Sequence, residues 1–81
     1  MWWVYILQSE SSGRFYIGIT SRMEGRLEEH NSGQAKSTRS KGPWKLVYSE
    51  TFPTRAQANQ RERQLKSWKS HRSIEELIDQ A

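Results

Sequence analysis

The 81 residues allow one domain, and with 33% of them hydrophobic and a mean hydropathy of −0.98 the core must be thin. The absence of cysteine excludes a disulfide scaffold and a thiolate metal site, and no run approaches the roughly 20 apolar residues needed to cross a bilayer. A net charge of +4 with a pI of about 9.8 points to a polyanionic partner and away from a membrane interior.

The opening Met1-Trp2-Trp3-Val4-Tyr5-Ile6-Leu7 is apolar, but it is too short and lacks the basic start of a signal peptide. A soluble, cytoplasmic protein is the expectation. Trp3 to Ser9 is β-branched and aromatic and predicts a strand. Glu10-Ser11-Ser12-Gly13 is turn material, and Phe15 to Thr20 predicts a second strand that closes a hairpin. Ser21-Arg22-Met23-Glu24 has the form of a capping box, so a helix is predicted from there to about Ser32, stopping at Gly33.

A basic loop over 34–43 ends at Pro43, and Lys45 to Phe52 predicts a third strand. Thr54 as N-cap, with Gln57 closing its box, predicts a helix reaching about Trp68. A last helix is predicted from Ser73, with Glu76 in the box position and Ile74, Leu77 and Ile78 apolar. The order β-β-α-β-α-α leaves no crossover for a parallel pair after the hairpin. It predicts one α+β domain over 1–81, a small, mostly antiparallel three-stranded sheet flanked by helices.

The basic residues fall in two runs. Lys36, Arg39, Lys41 and Lys45 have no acid among them, and Arg61, Arg63, Lys66, Lys69 and Arg72 have only Glu62. Either run is a solvated face or a nucleic-acid contact.

Several short motifs occur in order along the chain: Trp3-Val4-Tyr5, Tyr16-Ile17-Gly18, Arg26 with His30, Pro43-Trp44-Lys45-Leu46-Val47-Tyr48-Ser49-Glu50, and Arg61-Glu62-x-x-Leu65-Lys66. Together these resemble the GIY-YIG nuclease superfamily, in particular its short, single-domain, YhbQ-like branch. The resemblance runs from about Trp2 to Leu77. It departs from the family pattern at Trp3-Val4, where the family name has Gly-Ile, and at Arg22, where related short members often carry an acidic or amide residue.

The resemblance gives the residues roles, and each role has a plainer alternative. If Ser9 pairs with Arg14, Leu7 faces Tyr16, and Tyr5 lies diagonally from Tyr16 on the same face. The family reading makes Tyr5 the general base on water and has Tyr16 position water or phosphate; the alternative is two core tyrosines. Arg26 and His30, four apart, share a helix face beside a Met23/Leu27 stripe. Arg26 would stabilise transition-state charge, and His30 would take a proton from Tyr5 or hold it. The alternatives are a surface cation and a cation at the helix C-terminus.

Ala58, Glu62 and Leu65 have the spacing of a buried stripe, where a carboxylate is costly unless paired or bound to metal. The resemblance makes Glu62 the ligand of one Mg²⁺ (or Mn²⁺); the alternatives are an ion pair with Lys66 and simple exposure at the stripe's edge. Lys36, Arg39, Lys41, Lys66 and Lys69 are candidate DNA contacts. Trp44 suits core packing better than base stacking, and His71 has no assigned role. The resemblance implies a metal-dependent DNA endonuclease of repair or processing, leaving 5′-phosphate and 3′-hydroxyl ends, with a targeting protein as a candidate partner that the sequence leaves open. The alternative is a non-catalytic nucleic-acid-binding or adaptor module on the same fold, and RNA is not excluded as the partner.

Overall fold

The computed structural model describes residues 1–32, 43–68 and 70–80. Lys36, Arg39, Lys41 and Lys69, and Gly33 as the stop of the first helix, lie outside them. Strand β1 (Trp2–Ser9) is central, with β2 (Phe15–Thr20) and β3 (Trp44–Phe52) antiparallel on either side. Helices α1 (Arg26–Asn31), α2 (Arg55–Lys66) and α3 (His71–Asp79) complete the expected β-β-α-β-α-α order.

Four consecutive residues of β1, from Val4 to Leu7, are fully buried. A strand covered on both faces has no polar side, which is why this one reads as an apolar run. Alternation divides it. Val4 and Ile6 pack with Ala58, Leu65 and Ile74, carried by α2 and α3. Tyr5 and Leu7 pack with Trp44, Tyr16, Met23 and Leu27 on the other face. Trp44 is only 4% exposed, so it is a core residue and not a stacking platform.

The hairpin has the expected register: the Ser9 N–H donates to the Arg14 carbonyl at 2.8 Å, and Leu7 stands opposite Tyr16. Gly13 takes the positive φ of 77° that closes the turn. On the other side, Ile6 pairs with Tyr48 but Leu7 pairs with Leu46, so Val47 is an extra residue. The bulge lets Trp44 serve one face of the sheet while Tyr48 and Phe52 serve the other.

The first helix corrects an expectation. It starts at Arg26, not at Ser21, and the Ser21–Glu24 capping box does not form. Thr20 Oγ1 accepts from the Arg22 N–H at 3.0 Å and donates to the Arg22 carbonyl at 3.1 Å, which holds the chain in a turn. Gly25 then occupies the N-cap position with φ 78°, a conformation cheap only for glycine. Thr54 does cap α2, accepting from the Gln57 N–H at 3.3 Å. That helix ends at Lys66, short of Trp68, and α3 begins at His71 instead of Ser73.

One ion pair ties α2 to β3. Arg61 donates to both Glu50 oxygens, Nε at 2.9 Å and Nη2 at 3.0 Å, and Nη1 donates to Gln64. Tyr48 donates to the same carboxylate, and Trp68 lies under the guanidinium. Arg61 therefore belongs to the scaffold, although it stands in the second basic run. Arg61→Ala should cost about 1–3 kcal/mol in a urea melt, because it strands a partly buried carboxylate. A loss too small to measure would show the pair to be idle.

The same pair sets an acid sensitivity. Burial alone would raise the Glu50 carboxyl, but the hydrogen bonds from Arg61 and Tyr48 and the Arg61 charge outweigh it and hold it below its ordinary value. A depressed folded pKa stabilises the fold above the unfolded value, and that contribution fades as pH falls through the folded one. Acid unfolding of the wild type should therefore carry a Glu50 component below about pH 4.3. Arg61→Ala should remove it.

Candidate functional site

The α1 face of the sheet holds a polar centre inside an apolar frame. Tyr5 is buried and stands opposite Gly18 on β2. A strand glycine leaves open space, and the tyrosine fills it. A Cβ at position 18 would lie 2.6 Å from the Tyr5 hydroxyl oxygen. Gly18 is thus the seat of the hydroxyl. The only sign of this in the sequence is a glycine inside a strand, which commonly marks a close approach.

Two residues of α1 meet that hydroxyl. His30 Nε2 lies 2.9 Å away and Arg26 Nε donates to it at 3.1 Å. One helical turn separates the two residues, so both reach the same atom. Arg26 can only donate. With His30 neutral and its hydrogen on Nδ1, the hydroxyl accepts from Arg26 and gives its own hydrogen to Nε2. His30 is 1% exposed, and its pKa is lowered, first by burial and then by the Arg26 charge, against a smaller opposing effect of Glu29. Burial therefore favours the neutral imidazole over a cation at the helix C-terminus.

Tyr5 itself is pushed above the ordinary tyrosine value. Burial is the largest cause; the hydrogen bond and charge of Arg26 oppose it, while Tyr16 and Glu62 add to it. Tyr5 therefore keeps its proton, and it can accept another only by passing its own to a neighbour. His30 Nε2, 2.9 Å away, is within reach of that oxygen.

Tyr16 shares the face, its ring 6.3 Å from the Tyr5 ring and 4.9 Å from His30. Glu62 approaches from α2, close enough for its charge to disfavour a tyrosinate at position 5. Its side chain is 22% exposed and pairs with Lys66 at 3.4 Å. The ion pair with Lys66, the plainer reading of Glu62, is therefore formed. The structure gathers Tyr5, Tyr16, Arg26 and His30, while Glu62, on α2 with Lys66 beside it, reaches Tyr5 through its charge. His71 stays outside, stacked on Phe15 at 4.4 Å.

Two supports went unread in the sequence. Glu29 accepts from Arg26 Nη1 at 3.2 Å and Arg22 Nη2 at 3.3 Å, fixing the arginine beside Tyr5. Its spacing of three from Arg26 was the available signal. Asn31 accepts from the Trp44 N–H at 2.6 Å and donates to the Trp44 carbonyl at 2.9 Å, tying the end of α1 to β3. Nothing local in the sequence announces that long-range contact.

A buried tyrosine seated on a strand glycine, with a fixed arginine and a buried histidine on its oxygen, is the polar centre of this small α+β domain. The family model described as the GIY-YIG catalytic domain matches residues 1–75, and the chain belongs to that family. Its relatives include a UPF0213 protein of Desulfotalea psychrophila, 45% identical over 67 residues, covering 80% of this chain and 60% of that one. Another, from Haloquadratum walsbyi, is 43% identical over 67 residues, covering 82% and 74%. The solution NMR structure of a UPF0213 protein from Bacillus halodurans superposes with a TM-score of 0.61 at 37% identity, covering 98% of this chain and 84% of that one. The match thus spans less than two thirds of the Desulfotalea protein. GIY-YIG domains are nuclease domains that typically use divalent metal ions, and nucleic acid is the partner the family suggests. Among the described residues, no helix is long and apolar enough to cross a membrane.

Proposed function

We propose that this chain is a divalent-metal-dependent endonuclease that hydrolyses phosphodiester bonds in DNA, acting as a single nuclease domain in the cytoplasm and serving repair or processing. The observation that carries the proposal is the Tyr5 hydroxyl held between Arg26 Nε, a donor, and His30 Nε2, which accepts when its hydrogen is on Nδ1. Water attacks phosphorus and loses a proton to the Tyr5 oxygen, while the hydrogen already on that oxygen passes to His30 Nε2. The O–P bond to the leaving 3′-oxygen breaks, that oxygen takes a proton from solvent to become the 3′-hydroxyl, and a 5′-phosphate results. Arg26 meets the negative charge that builds on the phosphoryl oxygens. Tyr16 orients water or phosphate, and Lys66, with Lys36, Arg39, Lys41 and Lys69, draws the strand in.

No cluster of three or more candidate metal ligands occurs among the described residues. A hard ion such as Mg²⁺ does not need one, since water and phosphate oxygens complete its shell around a single carboxylate. Glu62 suits such an ion, because its ion-pair partner Lys66 is 55% exposed and free to swing towards solvent. Mg²⁺ or Mn²⁺ at Glu62 would supply neutralisation of charge on the phosphate and the leaving oxygen.

The test is cleavage of a panel of nicked, branched, single-stranded and duplex DNAs with Mg²⁺, beside a folded Glu62→Ala variant. The variant should cut slower by roughly a hundredfold or more while still binding. If wild type binds every substrate and cuts none with Mg²⁺ or Mn²⁺, the catalytic reading fails and a binding module on this fold replaces it.

A further inference from the structure

We infer that the groove between β2 and the last two helices is a subsite for one unpaired nucleotide of the strand being cut; this rests on the nuclease reading above. The groove has a volume of about 540 Å³. Its walls include Phe15, Tyr16 and Trp68, and its exposed residues include Arg14, Lys66 and His71. Flat apolar walls with cations at the rim suit a nucleobase flanked by phosphates.

Two residues connect the groove to the chemistry. Tyr16 belongs to the cluster around Tyr5, and Lys66 pairs with Glu62. A strand whose scissile phosphate lies at Tyr5 can therefore place a neighbouring nucleotide along β2, towards Arg14 and His71. A base held in a duplex is paired and stacked inside the helix and cannot enter such a groove without leaving the stack. An unpaired base enters at no such cost. Phe15 and His71 already stack on each other, and Trp68, with Arg61 over its ring, offers the larger indole surface. Among the described residues, the acids close to the rim are Glu62, beside Lys66, and Glu75, 3.9 Å from His71.

Binding is measured in EDTA, without cleavage, using a labelled oligothymidylate and a blunt duplex of equal length. The oligothymidylate should bind more tightly. Trp68→Leu should weaken it roughly tenfold or more and should affect the duplex less. Because Trp68 also packs against the core, exposed Arg14→Ala and His71→Ala serve as second variants, and Arg14→Ala should also flatten the salt dependence. Equal affinity for the two probes, or folded variants that keep wild-type affinity for the oligothymidylate, overturns the subsite. Cleavage with Mg²⁺ is scored separately. A preserved preference for the oligothymidylate without any cleavage supports the groove and overturns the nuclease reading; cleavage without the preference does the reverse.

Discussion

Tyr5→Phe should reduce DNA cleavage by about 10²–10⁴ and leave the fold in place. The substitution keeps the buried ring and removes one oxygen. That oxygen is in contact with both Arg26 Nε and His30 Nε2, at 3.1 and 2.9 Å. Losing it severs the proton path from water to His30 and frees the arginine from its anchor. The stability cost should be about 1–3 kcal/mol, since two polar groups lose a buried partner. Thermal melting separates that cost from the loss of rate. A Tyr5→Phe protein that cuts at the wild-type rate would reduce Tyr5 to a packing residue.

A pH profile tests the other half of the path. His30 must be neutral to receive the proton, and burial, then the Arg26 charge, keeps it neutral below the ordinary histidine value of about 6.5. Cleavage by the wild type should therefore persist below pH 6.5 and fail only at the lowered His30 value. Stability follows the same sign. A folded pKa below the unfolded one stabilises the protein above the unfolded value, and the contribution is lost as pH falls through the folded one. An acid limb at or above 6.5 would assign it to a different group and remove His30 from the path.

The parts of this site legible in the sequence are those governed by local rules. The hairpin register followed from a four-residue turn, and with it the shared face of Tyr5 and Tyr16. The meeting of Arg26 and His30 at one atom followed from helical spacing. Where local signals competed, the stronger won. The Ser21–Glu24 box yielded to the Thr20–Arg22 turn and to Gly25, because a left-handed residue at the N-cap fixes where a helix begins. Long-range pairing was not legible at all. The Val47 bulge, the Asn31 clamp on Trp44 and the Arg61–Glu50 pair each join residues that only the finished sheet brings together. Arg61 shows the consequence: in the sequence it is one more cation in a basic run, and in the fold it is a strut.

The tightest constraint on the site has no charge and no hydrogen bond. Gly18→Ala would place a Cβ 2.6 Å from the Tyr5 oxygen, 2.7 Å from Tyr5 Cζ and 3.1 Å from Tyr16 Cε1. The backbone would not object, because Gly18 is not among the glycines with positive φ. An alanine in a compatible conformation usually stabilises slightly by restricting the unfolded chain. Here sterics decide against it. The hydroxyl cannot retreat without breaking its contacts to His30 and Arg26, so Gly18→Ala should destabilise the fold by about 1–3 kcal/mol. Displacing the oxygen by even ~1 Å should also slow cleavage by about a hundredfold. The double variant with Tyr5→Phe isolates the cause. Without its two polar contacts the ring is free to shift off the new methyl, so the stability losses should be less than additive. Full additivity would place the damage in the β2 backbone and not at the tyrosine. Wild-type stability and rate in Gly18→Ala would mean that the hydroxyl does not rest over position 18 in solution, and the proton path through His30 would lose its geometric basis.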